Sequence, residues 1–372
     1  MGSDTISRSG AYAARVDEAI QRAIDRCTRA TLVFDLATID RNMRDLASAA
    51  RAANITPLFA MKSFPRDEVR ALAAQHLDGF DVASPGELAA VPARGIVSIV
   101  DPSGLAIADA PRGRRVLVGC DTVEHVRAVP AHAELAIRIS ASITGRDPAI
   151  GAVLEGSGRR TSRFGVDTRE AVEALLGAAG PASANERPVG IHLHHGPVTA
   201  TSAERFIATA RAAIALFAEA GREPAFINLG GAWHGIDDLA AAFTEVRAAL
   251  GGIELFAEPG RTYAAGAGFA TGRVLASREL ADRVLSTVEL SRACHLRWSQ
   301  PELVAPPPRA EMRRKVTLVG PTCYEEDVIG EWIVDPTHIA SRVVLRNITG
   351  YAVAWNTAFA GVPAADVVFV ER

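Results

Sequence analysis

The chain has 372 residues, with 40 Lys+Arg against 43 Asp+Glu and a formal charge of −3. That near balance excludes the electrostatic excess that a nucleic-acid binder or a polybasic membrane-surface protein requires. Hydrophobic residues at 48% supply a sizeable core and exclude wholesale disorder, and roughly 150 residues per domain suggests two domains. No apolar run approaches the roughly 20 residues of a membrane span, and the N-terminus MGSDTISRSGAYAARVDEA lacks a charged-then-apolar leader pattern. Cys27, Cys120, Cys294 and Cys323 lie far apart with no CxxC pair. A disulfide framework or Cys-rich zinc site is therefore not expected, and a reducing cytoplasm is.

Taken in chain order, β-prone runs alternate with Ala-rich stretches. The runs are PLFAM (57–61), GFDVA (79–83), GIVSIV (95–100), RVLVG (115–119), ELAIRI (134–139), VGIHLH (189–194), AFINLG (225–230) and IELFAE (253–258). Between them, DEVRALAAQHL (67–77), SAERFIATARAAIALFAEAG (202–221) and DDLAAAFTEVRAALGG (237–252) are apolar at helical spacing. Strand–helix alternation implies parallel strands with crossover helices, and eight units is the count of a closed (β/α)8 TIM barrel. After about residue 268 the long helices stop. FATGRVLA (269–276), KVTLVG (315–320), SRVVLR (341–346), GYAVAW (350–355) and ADVVFV (365–370) read as strands of an all-β domain, a small barrel or sandwich. The early run TLVFDL (31–36) is surplus to the eight and is assigned to that second domain. The expected division is a barrel over 37–265 and a β domain made of 1–36 plus 266–372.

Barrel enzymes place their chemistry at the C-terminal ends of the strands, where the loops face a common mouth. Here Lys62 follows the first run, Asp81 lies in the second, and Arg138 ends the fifth. His194 and His195 end the sixth, Gly230-Gly231 the seventh, and Glu258-Pro259-Gly260-Arg261 the eighth. A lysine directly after an apolar run is desolvated, which lowers its pKa and makes it a usable amine nucleophile; the bland alternative is a solvated lysine. The glycine pair with Pro259-Gly260-Arg261 forms the corner where barrels hold phosphate on backbone N–H groups. HLHH (192–195) has zinc-like spacing, but no HExxH or cysteine partner accompanies it, so no metal is expected. Cys323, as a bare residue type, is more often a small buried side chain than a reagent. An amine nucleophile, a phosphate corner and a carboxylate on one ring of strand ends together suggest pyridoxal phosphate.

At this point the residues resemble the pyridoxal-phosphate enzymes of the alanine-racemase-like fold (fold type III), and within them the ornithine/diaminopimelate/carboxynorspermidine decarboxylases. The motifs carrying the resemblance run in order from about residue 31 to 362: FAMKSFPRDEV, GFDVASPGEL (79–88), SRFG (162–165), GIHLHHG (190–196), NLGG (228–231), AEPGR (257–261), GPTCYEEDVIGE (320–331) and GYAVAWNTAFAGV (350–362). The resemblance implies that Lys62 carries the cofactor through a Schiff base, that His194 stacks on its ring and that Glu258 bonds the pyridine nitrogen. It further implies that Gly230, Gly231, Gly260, Arg261 and Tyr351 hold the phosphate, and that Asp81 and Arg138 order the surroundings of the lysine. Cys323 of a neighbouring subunit would protonate the α-carbon, in a head-to-tail homodimer with two shared sites. The activity implied is decarboxylation of an amino acid or an amino-acid-like polyamine precursor.

The sequence departs from the family pattern at the substrate end. Tyr324 stands where an acidic residue usually grips the distal amine, with Glu325, Glu326 or Asp327 as substitutes for that role, and the second acidic contact has only Glu289 as a candidate. Pro197 replaces a serine on strand six, and Ala232 closes what is usually a glycine triplet. These changes keep the cofactor chemistry and point away from ornithine and diaminopimelate toward a specialised substrate. EEDVIGEW bears some similarity to carboxynorspermidine decarboxylases. Three alternatives carry less weight. An amino-acid racemase of this fold would place arginine, not Glu258, at the pyridine nitrogen. A non-catalytic binding relative has no need of Lys62, His194, Glu258 and Cys323 together, and a hydrolase on HLHH would need zinc.

Overall fold

The protein is described from a computed structural model, over residues 16–144, 162–180, 188–194 and 202–371. Strand β1 (Thr31–Asp35) is followed by β2 (Ile55–Ala60), β3 (Gly79–Val82), β4 (Ile96–Ile99), β5 (Val116–Cys120), β6 (Glu134–Ser140), β7 (Val189–His194), β8 (Phe226–Asn228) and β9 (Glu254–Ala257). Strands β2 to β9 pair in sequence order, and β2 returns to β9 through Ile55–Leu255, so the parallel barrel closes. All eight of its strands fall on the runs expected from the sequence. Their residues are buried almost without a break, as in β5 and β6, because parallel barrel strands are covered on both faces. Helices start where capping side chains satisfy their first N–H groups: Ser84, Thr122, Thr168 and Asp238 accept from the backbone three residues on. Helix Ala203–Glu219 turns Phe206, Ala210, Ala213 and Phe217 inward, the spacing that marked it as helical.

The barrel interior is packed rather than hollow. Leu58, Leu117, Ala136, Phe226 and Phe256 form one buried cluster. Gly190 makes room for it, since a Cβ there would lie 2.5 Å from the Phe226 ring. At the N-terminal end of the strands, Arg115 donates to Glu134 at 2.7 Å and to Glu254 at 2.6 Å, with its guanidinium over the Phe256 ring. This end is thus closed by a satisfied ion network, which leaves the opposite end for chemistry.

The described chain divides into two compact units, one of Met43–Lys62 and Arg66–Thr262, the other of residues 16–42, Ser63–Pro65 and 263–371. The second unit holds β10 (Gly268–Glu279), β11 (Val284–Val288), β12 (Glu302–Leu303), β13 (Arg314–Val319), β14 (Val328–Val334), β15 (Arg342–Arg346) and β16 (Asp366–Val370). Its sheet runs β12-β15-β10-β11-β13-β14, and β1 pairs with both β10 and β16. TLVFDL therefore belongs to the β domain, as its surplus to the barrel count implied. Ile20, Ala23 and Ile24 of helix Glu18–Asp25 pack on Val33 and Val370, beside a cluster of Phe34, Phe64 and Phe369.

The run GYAVAW is not a strand. Residues Tyr351–Ala354 form a helical turn in which Ala352 N–H donates to Thr349 and Val353 N–H to Gly350. Gly350 sits where a Cβ would come within 2.5 Å of Ser63 O and Phe64. That close approach fixes the chain in a turn, and two alanines sustain it. Strands β11, β12 and β14 were missed in the sequence. In β14 the burial alternates only from Gly330 onward, because the pairing with β13 shifts register at Leu318/Val319, and Gly330 and Glu331 interrupt the apolar signal.

Candidate active site

The C-terminal rim of the barrel brings together nine of the expected residues: Lys62, Asp81, Arg138, His194, Gly230, Gly231, Glu258, Gly260 and Arg261 all lie on or directly after barrel strands. Lys62 sits in a short 3-10 turn after β2, and its Nζ donates to Asp81 Oδ2 at 2.8 Å. Asp81 is fully buried on β3. Burial, then repulsion from Glu258, push its pKa up to about 7 against the opposing pull of Lys62.

Glu258 follows β9 and is 2% exposed. Its Oε1 accepts from Asn228 Nδ2 at 2.6 Å and from Ser98 Oγ at 3.1 Å, and His192 Nε2 stands 3.5 Å away. Burial opposes ionisation, but His192 beside it and then the Lys62 charge overcome it and hold the carboxyl well below the usual range. Its second oxygen, Oε2, is buried with no hydrogen-bond partner among the described residues. A buried carboxylate oxygen left open is costly unless a donor arrives, and the protonated nitrogen of a pyridine ring is such a donor. Burial first, then Lys62 and Arg138, drive the His194 pKa well below 6.5 and leave its ring neutral. Arg138 is 8% exposed and lies over the Phe164 ring of SRFG.

The corner expected to hold phosphate is shaped by close approach. Gly230 has φ +67, and a Cβ there would stand 2.1 Å from Leu193 O. A Cβ on Gly231 would come within 3.3 Å of Glu258 O and 3.7 Å of His194 Nε2, so it would fill the cradle that a ligand needs. Trp233 Nε1 donates to Gly230 O at 2.8 Å while its ring stacks on Phe206 at 3.7 Å, pinning the turn. Ala232 adopts the left-handed φ of 75° that glycine would take at about 1 kcal/mol less strain. Arg261 Nη1 lies 3.3 Å from His234 Nε2, and burial and then Arg261 pull the His234 pKa down to about 4, so it meets the guanidinium as a neutral ring. An open acceptor, a lysine on a carboxylate and a side-chain-free phosphate cradle fit pyridoxal phosphate. His195, Gly196 and Pro197 lie outside the described residues.

The remaining expected residues belong to the β domain. Cys323 is exposed in the turn between β13 and β14. Tyr324 is 50% exposed, packs edge-on to Phe359, and has its phenol pKa raised by a hydrogen bond to Glu326. Tyr351 packs against Trp298. Two expected substrate contacts are otherwise engaged. Asp327 is 2% exposed and accepts from Ser291 Oγ at 2.9 Å, Arg292 N–H at 2.6 Å, Ala293 N–H at 3.2 Å and Thr322 Oγ1 at 2.7 Å. Gly320 exists to admit it, since a Cβ there would lie 2.1 Å from Asp327 Oδ2. Glu289 accepts from Arg273 N–H at 2.8 Å and Arg273 Nε at 2.7 Å, across the β10–β11 pair. Both carboxylates are structural acceptors, a correction to the substrate roles expected for them. Sequence reasoning also missed Ser98, Asn228 and the pairing of His192 with Glu258. Nothing in the apolar run GIVSIV marks its serine, whereas NLGG did display the asparagine.

The fold and this rim define a pyridoxal-phosphate enzyme of the barrel type, and comparison with known proteins gives the family. The chain belongs to the family described as pyridoxal-dependent decarboxylase, pyridoxal binding domain, whose model matches residues 36–265; it is a pyridoxal-phosphate-dependent decarboxylase. Among solved structures it is similar to the arginine decarboxylase of Paramecium bursaria Chlorella virus, at 18% identity and a TM-score of 0.76 over 94% of this chain and 99% of that one. It is also similar to the lysine/ornithine decarboxylase of Vibrio vulnificus, at 19% and 0.75 over 95% and 98%. The diaminopimelate decarboxylase of Helicobacter pylori stands at 21% and 0.74, over 94% of each chain. No curated protein sequence matches the chain.

The titration of Asp81 should be visible in stability. The folded protein keeps this proton up to about pH 7, the unfolded chain only to about pH 4. The folded state therefore binds more protons across that window, and the contribution of Asp81 to stability falls as pH rises through it. The Tm of the cofactor-free protein minus that of Asp81→Asn should decline from pH 4 to pH 7. A difference that stays flat would mean that Asp81 is ionised throughout.

Proposed function

We propose that this decarboxylase holds its cofactor on Lys62 and acts on an amino acid or amino-acid-like polyamine precursor other than free ornithine, lysine or diaminopimelate. The observation that carries the assignment is the open Oε2 of Glu258, buried on the same rim as the Lys62–Asp81 pair. Bound there, pyridoxal phosphate would supply an electron sink for the pair left on the α-carbon when the carboxylate departs. Lys62 would tether it, with its Nζ held on Asp81. Glu258 would keep a proton on the ring nitrogen, with Asn228 fixing the carboxylate in place. His194, neutral, packs on the ring face without adding a competing charge. Gly230, Gly231, Gly260 and Arg261 would bind the phosphate. Arg138 and Asp81 set the field around Lys62. Cys323 delivers a proton to the α-carbon, and it comes from a second copy of the chain in a homodimer. A cytoplasmic setting is part of this proposal, in keeping with four cysteines that stand as free thiols.

Borohydride treatment of the cofactor-loaded protein should fix the pyridoxyl group on the Lys62 peptide, as read by peptide mass. Labelling of another lysine would remove Lys62 from this role.

Mixing inactive Lys62→Ala with inactive Cys323→Ala should restore activity, because a mixed dimer rebuilds one site with both groups intact. Verified mixed dimers as inactive as their parents would rule out a shared site.

Substrate choice rests on Tyr324. An ammonium buried without a carboxylate partner typically loses about 2–5 kcal/mol, and with Asp327 committed elsewhere the acids left to take the role are Glu325 and Glu326, the latter hydrogen-bonded to the phenol. Free ornithine, lysine and diaminopimelate should turn over poorly in a panel that includes carboxylated polyamines, and Tyr324→Asp should gain toward ornithine. Efficient decarboxylation of ornithine by the unaltered enzyme would place recognition of the amine on Glu325 or Glu326 instead.

A further inference from the structure

The Ser98 hydroxyl lies between the two buried carboxylates of the rim, 3.3 Å from Asp81 Oδ1 and 3.1 Å from Glu258 Oε1. Ser98, Asp81 and Glu258 are 1%, 0% and 2% exposed, so the loss of one donor is felt in full. A hydroxyl has one proton and can serve one carboxylate at a time. Asn228 Nδ2, 3.4 Å from Ser98 Oγ, already spends its shorter bond of 2.6 Å on Glu258. When Asp81 carries a proton it can donate to Ser98 Oγ, and Ser98 then donates to Glu258, giving a directed chain from one acid to the other. When Asp81 is ionised beside Lys62, both carboxylates compete for the same hydroxyl proton.

We propose that Ser98 is a positioning residue that couples Asp81, the partner of Lys62, to Glu258, so that the proton at the lysine end governs how Glu258 holds the ring nitrogen. This rests on the roles given above to Lys62 and Glu258. The other charged or titratable groups facing the pair are Arg138 from β6, His192 and His194 from β7, and Glu87 from the helix after β3. All of them remain when only the Ser98 hydroxyl is removed.

The test is a pH titration of the visible absorbance of the cofactor-loaded protein, with Tm measured alongside. Without the hydroxyl, both acids hold protons to higher pH, which weakens the negative charge beside the Lys62 nitrogen. Ser98→Ala should therefore move the midpoint down by about one pH unit, a tenfold change in proton affinity. Ser98→Thr should restore it, and Ser98→Cys, a weaker donor, should fall between. A midpoint unmoved in Ser98→Ala and Ser98→Cys, even with a lowered Tm, overturns the coupling and leaves Ser98 a packing residue. A wild-type protein that shows no visible band on loading is a different failure, that of the Lys62 assignment itself.

Discussion

The rim of this barrel depends on how a buried carboxylate, Glu258, is kept ionised. Desolvation alone would drive it to take up a proton, and a neutral acid could not hold a proton on a ring nitrogen. The barrel supplies the remedy from four different strands: Asn228 from β8, Ser98 from β4, His192 from β7, and more distantly the Lys62 charge after β2. Because parallel strands end at one mouth, side chains separated by 160 residues in the chain meet at a single oxygen. Burial, and then the negative charge of Glu258, raise Asp81, so the two acids divide into one that holds protons and one that does not. Such a separation of neighbouring acids is how a fixed site performs proton chemistry near neutrality.

The β domain shows the same economy in another form. Asp327 organises the turn that carries Cys323 and Tyr324 by accepting from three backbone N–H groups and two hydroxyls. A carboxylate so engaged is a structural clamp, and removing it would leave several buried donors open at once. The turn thereby presents an exposed thiol and an exposed phenol from a rigid base. Acidic composition in that segment therefore says little about substrate charge: one acid serves the backbone, and another, Glu326, serves the phenol.

Much of this was legible in the linear chain. The eight barrel runs are continuous and apolar because both faces of each strand are covered, and that signal survives without knowledge of neighbours. Lys62, His194, Glu258 and the Gly230-Gly231 pair were visible because they interrupt such runs at their ends. The β domain was less legible. GYAVAW alternates like a strand, but the close approach of Gly350 to Ser63 and Phe64 bends it into a helical turn. Glu289 and Asp327 were expected to meet substrate because residue type and local spacing do not reveal that Arg273 and Ser291 claim them first.

The sequence by itself determined the barrel, the early strand that joins the second domain, the ring of polar residues at the strand ends and the cofactor they suit. These depend on periodicity and on residues placed directly after apolar runs, which are local properties. Only the tertiary structure decided that Ser98 bridges Asp81 and Glu258, that His192 flanks a carboxylate, and that Asp327 is a clamp. Each of those depends on hydrogen bonds between residues distant in the chain, whose partners are set by barrel closure and sheet register rather than by any pattern along the sequence.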